Sequence, residues 1–300
     1  MRRVLVIGAS GFLGRHVFRL LDRQADLTVT GASRSGTAGR VRLDLAIDGA
    51  AALAAVLAAT RPDVVVNCAG AVAGDAAELA GANVTGPARL AGALGRHAPA
   101  ARLIHLGSAA EYGVAEPRLP ITETRAPRPV GLYGVTKLAG TEAITLARQF
   151  GLDALVLRVF NPIGVGAPAS SLPGRLVGEL CRAVREHDAV RLGSLDAVRD
   201  FVDVRDIADA VLAAIRVSAT DSPVLNVGSG TALPVQRVVR DLVVMAGFTG
   251  PVFAIGAGSA RSAEVPWQQA DISAAARELD WKPVVGLADS LREMWQAVSR

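Results

Sequence analysis

Glycines stand at positions 8, 11 and 14, directly after the apolar run Val4-Leu5-Val6-Ile7 and directly before a stretch of helical length. No other feature leaves the chain so little choice. A buried strand that turns sharply into a helix needs backbone that tolerates unusual torsions and close approach, and glycine supplies both. The turn also points free N–H groups at the helix N-terminus, where the helix dipole stabilises a phosphate. Gly8-Ala9-Ser10-Gly11-Phe12-Leu13-Gly14 therefore reads as a cradle for the diphosphate of a dinucleotide.

The pattern continues in kind. Residues 4–7, 27–30, 63–67, 102–106 and 154–159 are short apolar runs of the sort found in strands buried on both faces. Helical stretches over 12–23, 50–60, 83–97 and 133–150 lie among them. This alternation implies an α/β fold of the Rossmann type, a doubly wound parallel sheet with right-handed crossovers. From Pro162 to Gly174, Pro and Gly crowd the chain, and a helix over 175–186 follows. Residues 201–217 and 224–227 read as a helix and a buried strand, and 236–245 as a helix. The expectation is a dinucleotide-binding domain of residues 1–161 and about 201–228. A smaller, interleaved substrate domain of about 162–200 and 229–300 would face it across a cleft.

The end of the second strand bears on which dinucleotide binds. An NAD site places an acid there for the ribose 2′-hydroxyl. Here the segment is Thr30-Gly31-Ala32-Ser33-Arg34, without an acid, so Ser33 and Arg34 are expected to meet a 2′-phosphate. NADP(H) is preferred on this reading, with NAD possible. Asp44 and Leu45 would border the adenine, and the turn Asn67-Cys68-Ala69-Gly70 would lie against the cofactor.

Tyr133 and Lys137 are four residues apart, hence on one face of a helix. An ammonium favours a neighbouring phenolate, and the same phenol can protonate a developing alkoxide. That is the chemistry of hydride transfer to a carbonyl. Tyr-x-x-x-Lys recurs by chance; Ser108 gives it meaning. It ends the strand over 102–106 at the carboxyl edge of the sheet, where open α/β sheets bind ligands. Ser108, Tyr133 and Lys137 are the expected catalytic residues.

Composition excludes other classes. The 300 residues are 51% hydrophobic and 20% charged, a soluble globular balance, and no apolar stretch approaches the roughly 18 residues of a membrane span. The apolar run after Met-Arg-Arg is too short for a signal peptide, so a cytoplasmic location is expected. Cys68 and Cys181 are the only cysteines, read as buried thiols, and no metal-ligand spacing occurs, so no metal is expected. The net charge of +4 comes from dispersed arginines without interleaved aromatics, which argues against nucleic acid. Only Lys137 and Lys282 are lysines.

With these residues in view, the chain resembles the extended short-chain dehydrogenase/reductase family, in its nucleotide-sugar branch. The resemblance runs through Gly8 to Gly14, Asn67 to Gly70, Gly107 to Gly113, Tyr133 to Lys137, Leu157 to Pro162, Arg199 to Asp206 and Leu225 to Gly230. Residues 193–201 and 261–266 are most similar to the GDP-4-keto-6-deoxymannose reductases of that branch. The resemblance implies a nucleotide-sugar substrate, Asn83 and Phe160 beside the cofactor, Asn161 toward the substrate diphosphate, and Arg199 and Arg261 on the phosphates and ribose. Arg's fork of donors suits a diphosphate. Arg199 would otherwise pair with Asp200 or Asp203; Glu264 would bond a sugar hydroxyl or serve the fold. By analogy a homodimer is expected.

Dehydratases of the branch carry an acid in the two positions after the catalytic Ser or Thr. Ala109 and Ala110 stand there, and Glu111 comes one residue late, a placement that suits local structure. Dehydration is therefore disfavoured. A reductase of a nucleotide-linked 4-keto-6-deoxyhexose is the expectation, with an NAD-dependent 4-epimerase as the alternative and a non-catalytic dinucleotide sensor further behind.

Overall fold

A computed structural model of the chain describes residues 1–37, 39–255 and 265–299. Seven parallel strands form one sheet: β1 (Arg2–Ile7), β2 (Leu27–Ser33), β3 (Val41–Arg42), β4 (Val64–Asn67), β5 (Arg102–Ser108), β6 (Ala154–Val159) and, after three strands outside it, the strand Val224–Val227. The strands between are β7 (Asn161–Ile163), β8 (Val190–Leu192) and β9 (Val198–Asp203), which makes Val224–Val227 β10. The sheet order is β10-β6-β5-β4-β1-β2-β3, so it reverses direction at β1 and β4. That reversal opens a crevice at the carboxyl ends of the strands.

The sheet is covered on both faces, which is why its strands are apolar throughout. On one face α1 (Phe12–Leu21) and the helix Val204–Arg216 pack through Val17, Leu21, Ile207 and Val211. On the other, α2 (Ala50–Thr60), the helix Gly86–His97 and the helix Gly131–Gln149 pack through Leu53, Leu90, Leu94 and Ile144. A short helix, α3 (Ala76–Ala80), precedes these last two, which are α4 and α5; α6 is Leu172–Glu186 and Val204–Arg216 is α7.

The remaining chain builds smaller sheets. β11 (Ala232–Pro234) pairs antiparallel with β9, and β9 pairs in parallel with β7. β12 (Val252–Ala254) pairs with β8. A separate core of Leu176, Leu180, Val238, Leu242 and Leu291 joins α6 to α8 (Val235–Met245) and α10 (Leu287–Gln296); α9 (Ser273–Leu279) instead packs with the α1 and α7 face.

Two elements differ from the sequence reading. Residues 201–203 finish strand β9; the helix starts at Val204, with Asp203 as N-cap accepting the Arg205 N–H at 2.8 Å. The apolar Val198, Phe201 and Val202 suit either period, and pairing with β7 and β11 decides for strand. The expected helix over 83–97 begins instead as a π-helical turn, Gly81–Thr85, that runs into α4. Cys181 is half-buried; the Cys68 residue keeps some exposure, while its thiol is enclosed. No helix among the described residues is long and apolar enough to cross a membrane, and no cluster of His, Cys, Asp and Glu among them would hold a metal.

Candidate active site

The turn after β1 is closed by backbone contact. Gly8 has φ +79, and a Cβ on it would stand 2.8 Å from the Ala69 nitrogen, so the β4 turn lies directly against it. Gly11 caps α1 without a side-chain hydrogen bond, which leaves the first helical N–H groups to a ligand. Gly14 lies against Gly8 one turn into the helix, with Ser10 exposed beside the turn. A diphosphate fits this cradle: small backbone, free donors and a positive helix end.

One cavity of about 740 Å³ runs from this turn across the carboxyl edge of the sheet. Gly11, Phe12, Leu13, Ala69, Gly70 and Asn83 line its first part, with Phe160 nearby. Ser108, Tyr133 and Lys137 line its middle. Asn161 and Arg199 line the far part. Ser33, Arg34, Asp44 and Leu45 lie beyond its wall, at the ends of β2 and β3. Ser33 is buried, and its hydroxyl has no partner among the described residues, whereas Arg34 is exposed. Asp44 accepts the Ala46 N–H at 3.0 Å and shapes its own turn; Leu45 is buried beside Gly86. Arg261 and Glu264 lie outside the described residues.

Lys137 is almost fully buried on α5, and its ammonium donates to the Leu106 carbonyl at 2.6 Å. Burial lowers its pKa, opposed by the charge of Glu111. Tyr133 sits one helical turn earlier on the same wall, half-buried. Ser108 ends β5 and caps the 3-10 turn Ala109–Glu111, its hydroxyl accepting the Ala110 N–H at 3.2 Å. Asn83, inside the π-helical turn, accepts the Ala71 N–H at 2.9 Å and donates to the Ala71 carbonyl at 2.8 Å and to Thr136 Oγ1 at 3.1 Å. It thus ties the loop after β4 to α5 and sets their spacing.

At the far end, Asn161 donates to the Asp200 carbonyl at 2.9 Å. Arg199 donates to the carbonyls of Val198 at 2.8 Å and Val265 at 2.5 Å, and burial brings its pKa down to about 10. Its neighbours Asp200 and Asp203 are engaged elsewhere. Asp200 accepts from Ser229, Gly230 and Ala270, and Asp203 from Arg205 and Ser290.

Two features of the site escaped the sequence reading. Arg175, in the first turn of α6, lines the cavity on the same side as Arg199; its place just inside a Pro-led helix start was the available signal. Gln268 lines it too, donating to the Ala109 carbonyl at 3.2 Å, and nothing in its surroundings in the sequence marked it.

The profile of the NAD dependent epimerase/dehydratase family matches residues 4–228. The chain belongs to that family. Among its relatives, a dTDP-6-deoxy-L-talose 4-dehydrogenase (NAD(P)(+)) of Kitasatospora kifunensis is 38% identical over 99% of this chain and 96% of its own. A GDP-6-deoxy-D-mannose reductase of Pseudomonas aeruginosa is 31% identical over 82% of this chain and 80% of its own. Among solved structures, RMD from Pseudomonas aeruginosa complexed with NADPH superposes with a TM-score of 0.86 and 25% identity, covering 99% of this chain and 98% of that one. As a family member, the chain carries the extended short-chain dehydrogenase/reductase fold expected from its motifs.

Proposed function

We propose that the protein is an NAD(P)H-dependent reductase of a nucleotide-linked 4-keto-6-deoxyhexose, working reversibly as the 4-dehydrogenase. One observation carries the reading: a single cavity is lined by Gly11, Phe12 and Leu13 of the glycine turn at one end, by Ser108, Tyr133 and Lys137 in its middle, and by Arg175, Arg199 and Asn161 at the other. The relatives named above act on 6-deoxyhexoses linked to dTDP or GDP, and the substrate class follows theirs. Gly8, Gly11 and Gly14 with the N-terminus of α1 would hold the cofactor diphosphate, and Gly70, Asn83 and Phe160 would border the nicotinamide. The bound reduced nicotinamide supplies the hydride.

The chain's own residues do the rest. Ser108 donates a hydrogen bond to the carbonyl oxygen at C4 and orients it. Tyr133 delivers the proton that oxygen takes up as it becomes an alcohol. Lys137, a buried cation one helical turn away, favours the resulting phenolate and binds the nicotinamide ribose. Arg175 and Arg199 hold the substrate diphosphate, with Asn161 beside it. In this division of labour, residues 1–161 and about 201–228 bind the cofactor, and about 162–200 and 229–300 bind the sugar nucleotide.

The lack of an acid after β2, with exposed Arg34 there, supports NADPH over NADH. A cytoplasmic homodimer belongs to the same reading; light scattering checks the dimer. Purified protein mixed with NADPH and a dTDP- or GDP-linked 4-keto-6-deoxyhexose is expected to consume NADPH, seen as loss of its near-ultraviolet absorbance. No consumption with either sugar nucleotide refutes the reading. The same three residues would also serve C4 epimerisation, for which a retained dinucleotide would supply both the oxidation and the re-reduction at C4. Interconversion of C4 epimers without net NADPH loss would favour that reading.

A further inference from the structure

A set of buried charges stands behind the Ser108 turn. Glu111 is fully buried, and neither it nor Arg158 lines the cavity. Glu111 Oε1 accepts the Ser108 N–H at 2.7 Å, and Oε2 accepts Arg158 Nε at 2.7 Å. The guanidinium of Arg158 lies 4.6 Å from the ring centroid of Tyr112, whose hydroxyl donates to Asn226 at 2.7 Å. Gly107 makes the room: a Cβ there would stand 2.8 Å from Glu111 Oε1 and 2.9 Å from Val156. Buried ion pairs add little to stability compared with apolar packing. A pair kept against the turn that presents Ser108 therefore calls for a reason beyond the fold.

Building on the roles proposed for Ser108, Tyr133 and Lys137, we propose that Glu111 is a positioning residue. Through the Ser108 N–H it fixes the serine hydroxyl, and through its charge it holds Lys137 as an ammonium. Lys137 is bonded to the Leu106 carbonyl, two residues before the N–H that Glu111 accepts, so the two charges flank one stretch of β5.

The groups around them sharpen the assignment. Facing Lys137 are Cys68 after β4, His105 on β5 and Glu111, with Tyr133 on its own helix. Burial pushes the Cys68 thiol up to about 12, so it keeps its proton. His105 is held neutral by burial and by the Lys137 charge. Glu111 is then the negative charge that Lys137 meets. Around Glu111 itself are Arg158 on β6 and Tyr112, with Glu123 on the far side of Tyr112.

Glu111→Gln keeps the shape and an acceptor for the Ser108 N–H but removes the charge. The expected result is a fall in kcat of the order of 10²-fold, as for a misplaced catalytic group, with KM for the sugar nucleotide nearly unchanged. The alkaline limb of the kcat profile should move about one pH unit toward neutral, because losing a negative charge makes nearby protons easier to release. Glu111→Asp keeps the charge and shortens the reach, so it should restore the limb and not the full rate. If the orphaned Arg158 prevents folding, Glu111→Gln/Arg158→Met removes it and carries the kcat readout, with the NADPH-induced rise in Tm as the sign of a formed site. Because the two charges leave as a pair, its alkaline limb should stay near that of the wild type, and Glu111→Gln alone reads the limb. A folded variant with wild-type kcat overturns the proposal, as does a Glu111→Gln protein with lowered kcat whose alkaline limb stays in place. Wild-type protein without ketoreductase turnover would sink the functional reading and this one with it. An active wild type with an indifferent Glu111→Gln sinks this one alone.

Discussion

Replacing Gly14 by alanine sets a methyl carbon 2.0 Å from the Gly8 carbonyl oxygen, 2.7 Å from its carbonyl carbon and 3.2 Å from Ala9 Cα. All three are backbone atoms, so no side chain can swing aside. The turn itself must open by roughly 1.4 Å for the oxygen to reach ordinary contact at 3.4 Å. Overpacking of this kind costs about 1–3 kcal/mol, or a fall in Tm of roughly 2–5 °C for a chain of this size. The opened turn also misaims its N–H groups, and hydrogen bonds to charged groups contribute about 1.5–3 kcal/mol. The NADPH Kd should therefore rise about 10- to 100-fold. Gly11→Ala is the control for the steric part, since its Cβ meets the same oxygen at 3.2 Å and needs only a few tenths of an ångström. Calorimetric titration with NADPH and thermal melts of both variants read the two effects. Equal losses of Tm at the two positions would refute the steric reasoning, and an unchanged Kd in Gly14→Ala would refute the cradle.

Three further outcomes follow from the site. Tyr133→Phe should retain NADPH binding in a calorimetric titration and lose about 10²- to 10⁴-fold in kcat, the usual range for a missing general acid; retained turnover would remove Tyr133 from the proton path. Arg175→Ala should raise KM for the sugar nucleotide about tenfold or more with Tm unchanged, since one cation leaves the diphosphate; an unaltered KM would place the diphosphate elsewhere. The Cys68 thiol, pushed up to about 12 by burial, keeps its proton in the folded state where the unfolded chain releases it at about 8.5. Its contribution to stability is complete below that pH and is lost as pH climbs toward 12, so Cys68→Ala should flatten the alkaline decline of Tm. The buried Tyr112, also raised to about 12, adds a decline of the same sign from its own ordinary value of 10.0.

Most of the large sheet was legible because its strands are buried on both faces and read as unbroken apolar runs bounded by turns. The glycine turn was legible for a related reason: steric demand is written in residue identity, and Gly8, Gly11 and Gly14 leave no alternative. β9 was not, because its pairing partners β7 and β11 are three residues each and lie far from it in the chain. The π-helical turn at Asn83 was equally hidden. It arises from tertiary closeness, a Cβ on Gly140 being only 2.1 Å from the Asn83 carbonyl oxygen, and no local periodicity encodes that. Tyr133 and Lys137 were named from their spacing and Ser108 from its place at a strand end, and all three line one cavity; Arg175 and Gln268 join that lining only through the folding of α6 and the late segment across the cleft.

The position of one carboxylate connects fold to chemistry. An acid directly after Ser108, at 109 or 110, would lie on the cavity wall, where Ala109 and Ala110 now stand. Shifted to 111, it falls on the other side of the 3-10 turn, where one oxygen accepts from Arg158 and the other from the Ser108 N–H. A shift of one residue thus takes a proton-transfer group away from the substrate and makes it a brace for the serine. On the proposed mechanism, elimination of water from the sugar would lack its acid and base, while hydride transfer would keep its proton donor, Tyr133. Restoring an acid at the wall, as in Ala110→Glu, should not create dehydration while Glu111 remains bound to Arg158, but it should place a second negative charge near Lys137. Its expected signature is an alkaline limb displaced away from neutral, opposite in sign to that of Glu111→Gln, and the two variants together read the field at the ammonium from both directions.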